Sequence, residues 1–178
     1  MNAPEMPSTF EIRAARPADV PAVHVLIGAL AAYEKLEHLW VATETDVADA
    51  LFGPQPAAEV LIACKNGTPA AFALFFHNFS TFLGVRGLWL EDLFVQPAYR
   101  RQGCAQALLR ALARIARDRG CGRFEWAVLD WNAPAIEFYQ SLGATVLPDW
   151  RIARVVGAAL EAMAAGETVQ TPLTGPSG

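Results

Sequence analysis

The stretch Val95-Gln96-Pro97-Ala98-Tyr99-Arg100-Arg101-Gln102-Gly103-Cys104-Ala105 joins an apolar, strand-like run to the start of a helical pattern through a tight basic loop holding one glycine. A junction of this kind can bind an anion. The first N–H groups of a helix have no intrahelical acceptor, the helix dipole places positive potential there, and a glycine lets a phosphate approach the backbone. Arg100 and Arg101 add charge at the rim. Read from these residues alone, the loop is equally a solvated helix start with two chance arginines.

A second feature is the pair Glu91-Asp92, set between Leu88-Trp89-Leu90 and Leu93-Phe94-Val95. Carboxylates inside an apolar strand are costly unless they are paired or face a cleft. They read either as acids on a cleft floor that attract a cation, or as one solvated acid and one bridged to an arginine. Neighbours in a regular strand face opposite sides, so both reach one ligand only if the strand bulges. A third feature is Phe138-Tyr139 on a short helix that Asn132 can cap. Tyr139 is either half-buried packing or a phenol placed to give up a proton.

The elements that must hold these residues follow from periodicity. Phe10 to Ala14 predicts an opening strand, and Val20, Val23, Ile27, Leu30 and Ala31 recur at helical spacing behind Pro17. Thr43 and Asp46 form a capping box for a short helix that Gly53-Pro54 stops. Val60 to Cys64 and Ala70 to His77 predict a hairpin around Asn66-Gly67, with a loop from Asn78 to Gly84 and a strand from Leu88 to Val95. Leu108, Leu109, Leu112, Ile115 and Ala116 stripe the helix after the basic loop, and Gly120 ends it. Phe124 to Leu129 predicts a further strand, Ala133 to Ser141 a helix, Trp150 to Val156 a last strand and Ala158 to Ala165 a helix. The order predicts an α/β (α+β) domain with a mixed central sheet flanked by helices: hairpins first, then a parallel β-α-β crossover. Residues 1–9 are expected to be a flexible lead, 10–156 one catalytic domain, and 157–178 a mobile Ala-rich tail.

Composition narrows the function. Apolar residues make up 53% of 178 and charged residues 18%, which suits one well-buried domain. A net charge of −4 offers no basic field for nucleic acid and mildly favours cationic partners. Three cysteines without a Cys-x-x-Cys pair fit neither a disulfide scaffold nor a zinc cluster, and His24, His38 and His77 have no metal-ligand spacing, so no metal is expected. The start lacks a basic n-region and an apolar stretch, and no run is long enough to span a bilayer, so a cytoplasmic protein without a membrane partner is expected.

The motifs also carry a resemblance. Arg100-x-x-Gly103-x-Ala105 after Leu93-Phe94-Val95, followed by Asn132-x-x-Ala135-x-x-Phe138-Tyr139-x-x-x-Gly143-Ala144, resembles the two signatures of the GNAT superfamily of acetyltransferases. Tyr33-Glu34, Leu90-Glu91-Asp92, Trp131-Asn132-x-Pro134 and Trp150-Arg151 further resemble the diamine acetyltransferases and their thialysine-acetylating relatives. Ala105 stands where many members carry a second glycine.

The resemblance implies acetyl-CoA as co-substrate. Leu93, Phe94 and Val95 would meet its pantetheine arm through main-chain groups. Arg100, Arg101, Gln102, Gly103, Cys104 and Ala105 would hold the pyrophosphate, with Asn132, Ala135 and Tyr139 also at the cofactor. Glu91, Asp92 and Glu34, with Trp131 and Trp150, would receive a small-molecule amine, and Glu37 could extend the acidic rim. Glu91 would take the amine proton through water and Tyr139 would protonate the leaving sulfur. Cys104, a rival nucleophile, has no adjacent base in the sequence. A homodimer is implied as well, through the Trp150 to Val156 strand. Acetylation of protein lysines or N-termini, and a catalytically idle CoA-binding domain, remain alternatives.

Overall fold

The structure, a computed structural model, describes residues 10–167. Residues 1–9 and 168–178, in which the lead and half of the tail were expected, lie outside the described residues. The chain divides into two compact units, the first ending at Ala127 and the second beginning at Val128.

The first unit is built on one sheet. Strands β1 (Glu11–Ala14), β2 (Glu59–Lys65), β3 (Thr68–Ser80), β4 (Val85–Val95) and β5 (Phe124–Trp126) lie in sequence order. β1 to β4 are antiparallel and β4–β5 is parallel, so the sheet is mixed as the element order predicts. Helices α1 (Val20–Glu34) and α2 (Glu44–Phe52) precede β2, and α3 (Cys104–Asp118) forms the crossover from β4 to β5. Lys35 at φ 62 closes α1, and the predicted Thr43/Asp46 capping box opens α2 with both reciprocal bonds in place.

Strand alternation divides the core between two faces. Val60, Ile62 and Cys64 of β2, Phe72 of β3 and Phe94 of β4 pack with Val20, Val23, Leu26 and Leu30 of α1 and Val47 and Leu51 of α2. The intervening Leu61, Ala63, Ala71 and Ala73 are buried on the opposite face, where α3 packs. Leu108, Leu109, Leu112 and Ala116 form the buried stripe of α3, as their spacing predicts.

Three expectations are corrected. The loop foreseen from Asn78 to Gly84 is shorter, because Asn78, Phe79 and Ser80 pair with Gly87, Arg86 and Val85 and the turn is confined to Thr81–Gly84. The strand foreseen from Phe124 to Leu129 stops at Trp126, where its ladder with β4 ends. In the second unit, α4 (Ala133–Ser141) and α5 (Ala158–Ala164) form where predicted, but no strand forms from Trp150 to Val156. β-type side chains make a strand only against a partner edge, and residues 151–156 have none among the described residues.

Replacement of core and cap should separate in size. Ile62→Ala, at a fully buried position, should cost about 2–5 kcal/mol. Thr43→Ala, which removes one cap, should cost about 1 kcal/mol. Urea unfolding with a constant m-value checks both.

Candidate active site

The acidic pair is placed by a bulge. β3 and β4 pair with Phe75 opposite Leu90 and Leu74 opposite Asp92, which leaves Glu91 as an extra residue on β4. A regular strand would turn Asp92 to the same face as Leu90, toward α3. The bulge resets the alternation, so Asp92 shares the face of Leu74 and Phe94, on which α1 packs.

Three carboxylates are thereby gathered. Asp92 is half-buried and its pKa is pushed up to about 6, first by burial and then by the nearby charges of Glu91 and Glu34. Glu34, in the last turn of α1, is also raised by burial. Glu91 is exposed, and its Oε2 accepts a 2.8 Å hydrogen bond from the Trp89 indole N–H. Glu37 lies on the turn beyond α1, exposed to solvent. Among the described residues no cation pairs with Asp92, in contrast to Asp19, whose two oxygens accept from Arg13 at 2.7 and 2.9 Å and which is held down to about 2. An unneutralised, partly desolvated carboxylate flanked by two more suits recognition of a cation.

The bulge also ends the β4–β5 ladder. Pairing stops at Leu90↔Trp126 while β4 runs on to Val95, so among the described residues no strand bonds the peptide groups of its last five residues on that side. Such an edge can accept an extended, amide-rich ligand as an added strand. Phe94 is buried in the core at the same time, since only its main chain is needed at the edge.

Beyond β4 the loop rises through residues 97–103 into α3. Gly103 is the N-cap at φ 80, in the left-handed region, and a Cβ there would meet open space rather than protein. The first turn of α3 therefore presents its N–H groups to an unobstructed approach, which suits a phosphate. Arg101 also holds a positive φ of 59, rare for a side-chain-bearing residue, and is exposed. Arg100 is held against the fold at the surface: its Nε donates to the Val95 carbonyl at 3.0 Å and its guanidinium lies 4.6 Å from the Tyr33 ring centroid. Gln102 accepts from Lys65 Nζ at 2.5 Å and donates to the Ala98 carbonyl at 3.0 Å. Lys65 is the residue that sequence reasoning missed at the loop, and Tyr33, singled out there only within the resemblance, was not foreseen as its neighbour, because no local pattern links positions so far apart. Cys104 is buried at the start of α3 and its thiol is pushed up to about 11, so it is a poor nucleophile.

In the second unit, Asn132 acts as the cap it was expected to be, its Oδ1 accepting from Ala135 N at 3.4 Å. Tyr139 is half-buried on α4, its ring 5.5 Å from that of Phe138. Trp131 and Trp150 are exposed.

Comparison with known proteins gives these features a family. Residues 29–144, more than half of the chain, match the acetyltransferase (GNAT) family. The chain is 35% identical to the L-ornithine N5-acetyltransferase of Arabidopsis thaliana, over 85% of this chain and 86% of that one. It is 34% identical to the thialysine N-epsilon-acetyltransferase of Sus scrofa, over 86% and 96%. Among solved structures, an integron cassette protein from the mobile metagenome of V. cholerae superposes with a TM-score of 0.74 at 25% identity, over 88% of this chain and 98% of that one. The chain belongs to the acetyltransferase (GNAT) family and is an N-acetyltransferase.

Proposed function

We propose that the chain transfers an acetyl group from acetyl-CoA to a primary amine of a small cationic substrate: a diamine, a polyamine or a lysine-like amino acid. The observation that carries this reading is the gathering of Glu34, Glu91 and Asp92 on one side of β4 by the bulge at Glu91. The named relatives, which act on ornithine and thialysine, support the same class.

Acetyl-CoA supplies an activated thioester. Leu93, Phe94 and Val95 line its pantetheine arm with main-chain groups, and Gln102 to Ala105, with Arg101, hold its phosphates at the start of α3. Arg100, stacked on Tyr33 and bonded to Val95, stiffens the corner between strand and loop. Asn132 and Ala135 orient α4 and with it Tyr139. Asp92 and Glu34 attract the cationic substrate, and Trp131 and Trp150 offer aromatic faces to its aliphatic chain. Glu91 takes the proton that the attacking amine must lose, through water, and Tyr139 returns a proton to the leaving sulfur. The amine attacks directly, so proximity and orientation carry much of the rate enhancement. A homodimer fits the exposed, unpaired segment at residues 151–156, where Ile152 and Val156 keep about 71% and 65% exposure. Three free thiols fit a reducing cytoplasm, and among the described residues no helix is long and apolar enough to cross a membrane.

The deciding experiment is a panel of diamines, polyamines, basic amino acids, monoamines and lysine peptides with acetyl-CoA, followed by thiol release. Small substrates with two amino groups should react best, and a preference for peptides would overturn the substrate class.

Asp92→Asn should lower kcat/KM for diamines at least tenfold, and for monoamines far less, with little change in the KM of acetyl-CoA. In the parent, kcat/KM should rise with pH through about 6 as Asp92 gains its charge. Stability should run the other way. A carboxyl whose folded pKa lies above its unfolded value binds more protons when folded, so its contribution falls as pH rises from about 4 to 6. Asp92→Asn should therefore raise Tm at pH 7 and flatten this window, as differential scanning fluorimetry across pH can check.

Tyr139→Phe should lower kcat by about 10²–10⁴-fold while leaving the binding of both substrates near parent values. A near-parent kcat with chemistry rate-limiting would make the tyrosine packing alone. Light scattering at micromolar concentration should report twice the chain mass, and a monomer would refute the dimer.

A further inference from the structure

The loop that opens α3 receives a cation from outside its own segment. Lys65 ends β2, 37 positions before Gln102. Its Nζ donates to Gln102 Oε1 at 2.5 Å, while Gln102 Nε2 donates to the Ala98 carbonyl at 3.0 Å. Both ends of the Gln102 amide are thus held, one by the loop's own backbone and one by a neighbouring hairpin. The ammonium is set in place from below: it lies 5.5 Å from the Phe10 ring centroid, and Phe10 meets Tyr99 of the loop edge-on at 6.2 Å.

Its charge is free to act on a ligand. Among the described residues no carboxylate pairs with Lys65. An ammonium carries three donors, and Gln102 uses one. Arg100, the cation nearest in sequence, has its Nε committed to Val95 and its guanidinium to the Tyr33 face. Among the described residues beside the α3 N-terminus, this leaves Arg101, from the loop, and Lys65, from the β2–β3 hairpin, as cations available to an anion.

We propose that Lys65 is a positioning and phosphate-binding residue: it fixes Gln102, and through it the loop into α3, and gives its remaining N–H donors to phosphate oxygens of the bound co-substrate. This rests on the reading of Gln102 to Ala105 as the phosphate site. Arginine at 65 keeps the charge and can reach the same amide, whereas methionine keeps the stem over Phe10 and loses both the charge and the donor.

Calorimetric titration of CoA, dephospho-CoA and inorganic pyrophosphate into the parent, Lys65→Met and Lys65→Arg proteins tests this, with Tm and the amine kinetics measured alongside. Lys65→Met should weaken CoA binding about tenfold, the size expected for one charge-assisted contact, and should flatten its salt dependence. Lys65→Arg should recover most of the affinity, and the loss in Lys65→Met should appear in the KM for acetyl-CoA more than in the KM for the amine. A loss of equal size for CoA and dephospho-CoA assigns the contact to the pyrophosphate, and a loss confined to CoA assigns it to the 3′-phosphate; either supports the role. Parent-like CoA affinity in Lys65→Met, or an arginine variant as weak as the methionine one, overturns it while leaving the phosphate site standing. A parent protein that binds no CoA overturns the site itself.

Discussion

Glu91 has no residue opposite it on β3, and every side chain after it on β4 is turned by one strand position as a result. Leu88 and Leu90, before the bulge, serve the face covered by α3; Asp92 and Phe94, after it, serve the face covered by α1. The same irregularity ends the ladder to β5 and releases the edge of the last five residues of β4. One inserted residue thus sets the direction of the acids and exposes the peptide groups that an extended co-substrate can use.

Charge is sorted around that segment. Acids gather on the α1 side of β4, and cations gather where β4 gives way to α3. The two groups are kept apart by commitments made within the fold: Arg100 is tied to Val95 and Tyr33, and Lys65 to Gln102. Among the described residues Asp92 has no neutralising partner, at a cost to the folded state that a purely structural carboxylate such as Asp19 does not carry. Local destabilisation of this kind is characteristic of a site shaped for a ligand rather than for stability.

The core follows a simpler logic. Large apolar side chains on β2, β3 and β4 meet α1 and α2 on one face, while Ala63, Ala71 and Ala73 on the other let α3 lie close to the sheet. Bringing α3 close holds its N-terminus at the end of β4.

Much of this was legible along the chain. The stripe of α3, the Thr43 cap, the Asn66-Gly67 hairpin and the Asn132 cap each depend on contacts within a few residues, and each forms as its pattern predicts. The acids and the basic loop could be singled out because their residue types are out of place in an apolar strand or suited to a helix start. What lay beyond reach were choices made by distant partners. Trp150 to Val156 has strand chemistry but, among the described residues, no edge to pair with; Phe124 to Leu129 was cut short by a bulge on a different strand; and Asn78 to Ser80 became strand because β4 returned alongside it. The sequence by itself determined which residues were suited to binding an amine and a phosphate. Which of them come near one another, Asp92 to the charge of Glu34 and Lys65 to Gln102, was decided only by tertiary structure, since strand register and helix packing join positions that no local periodicity connects.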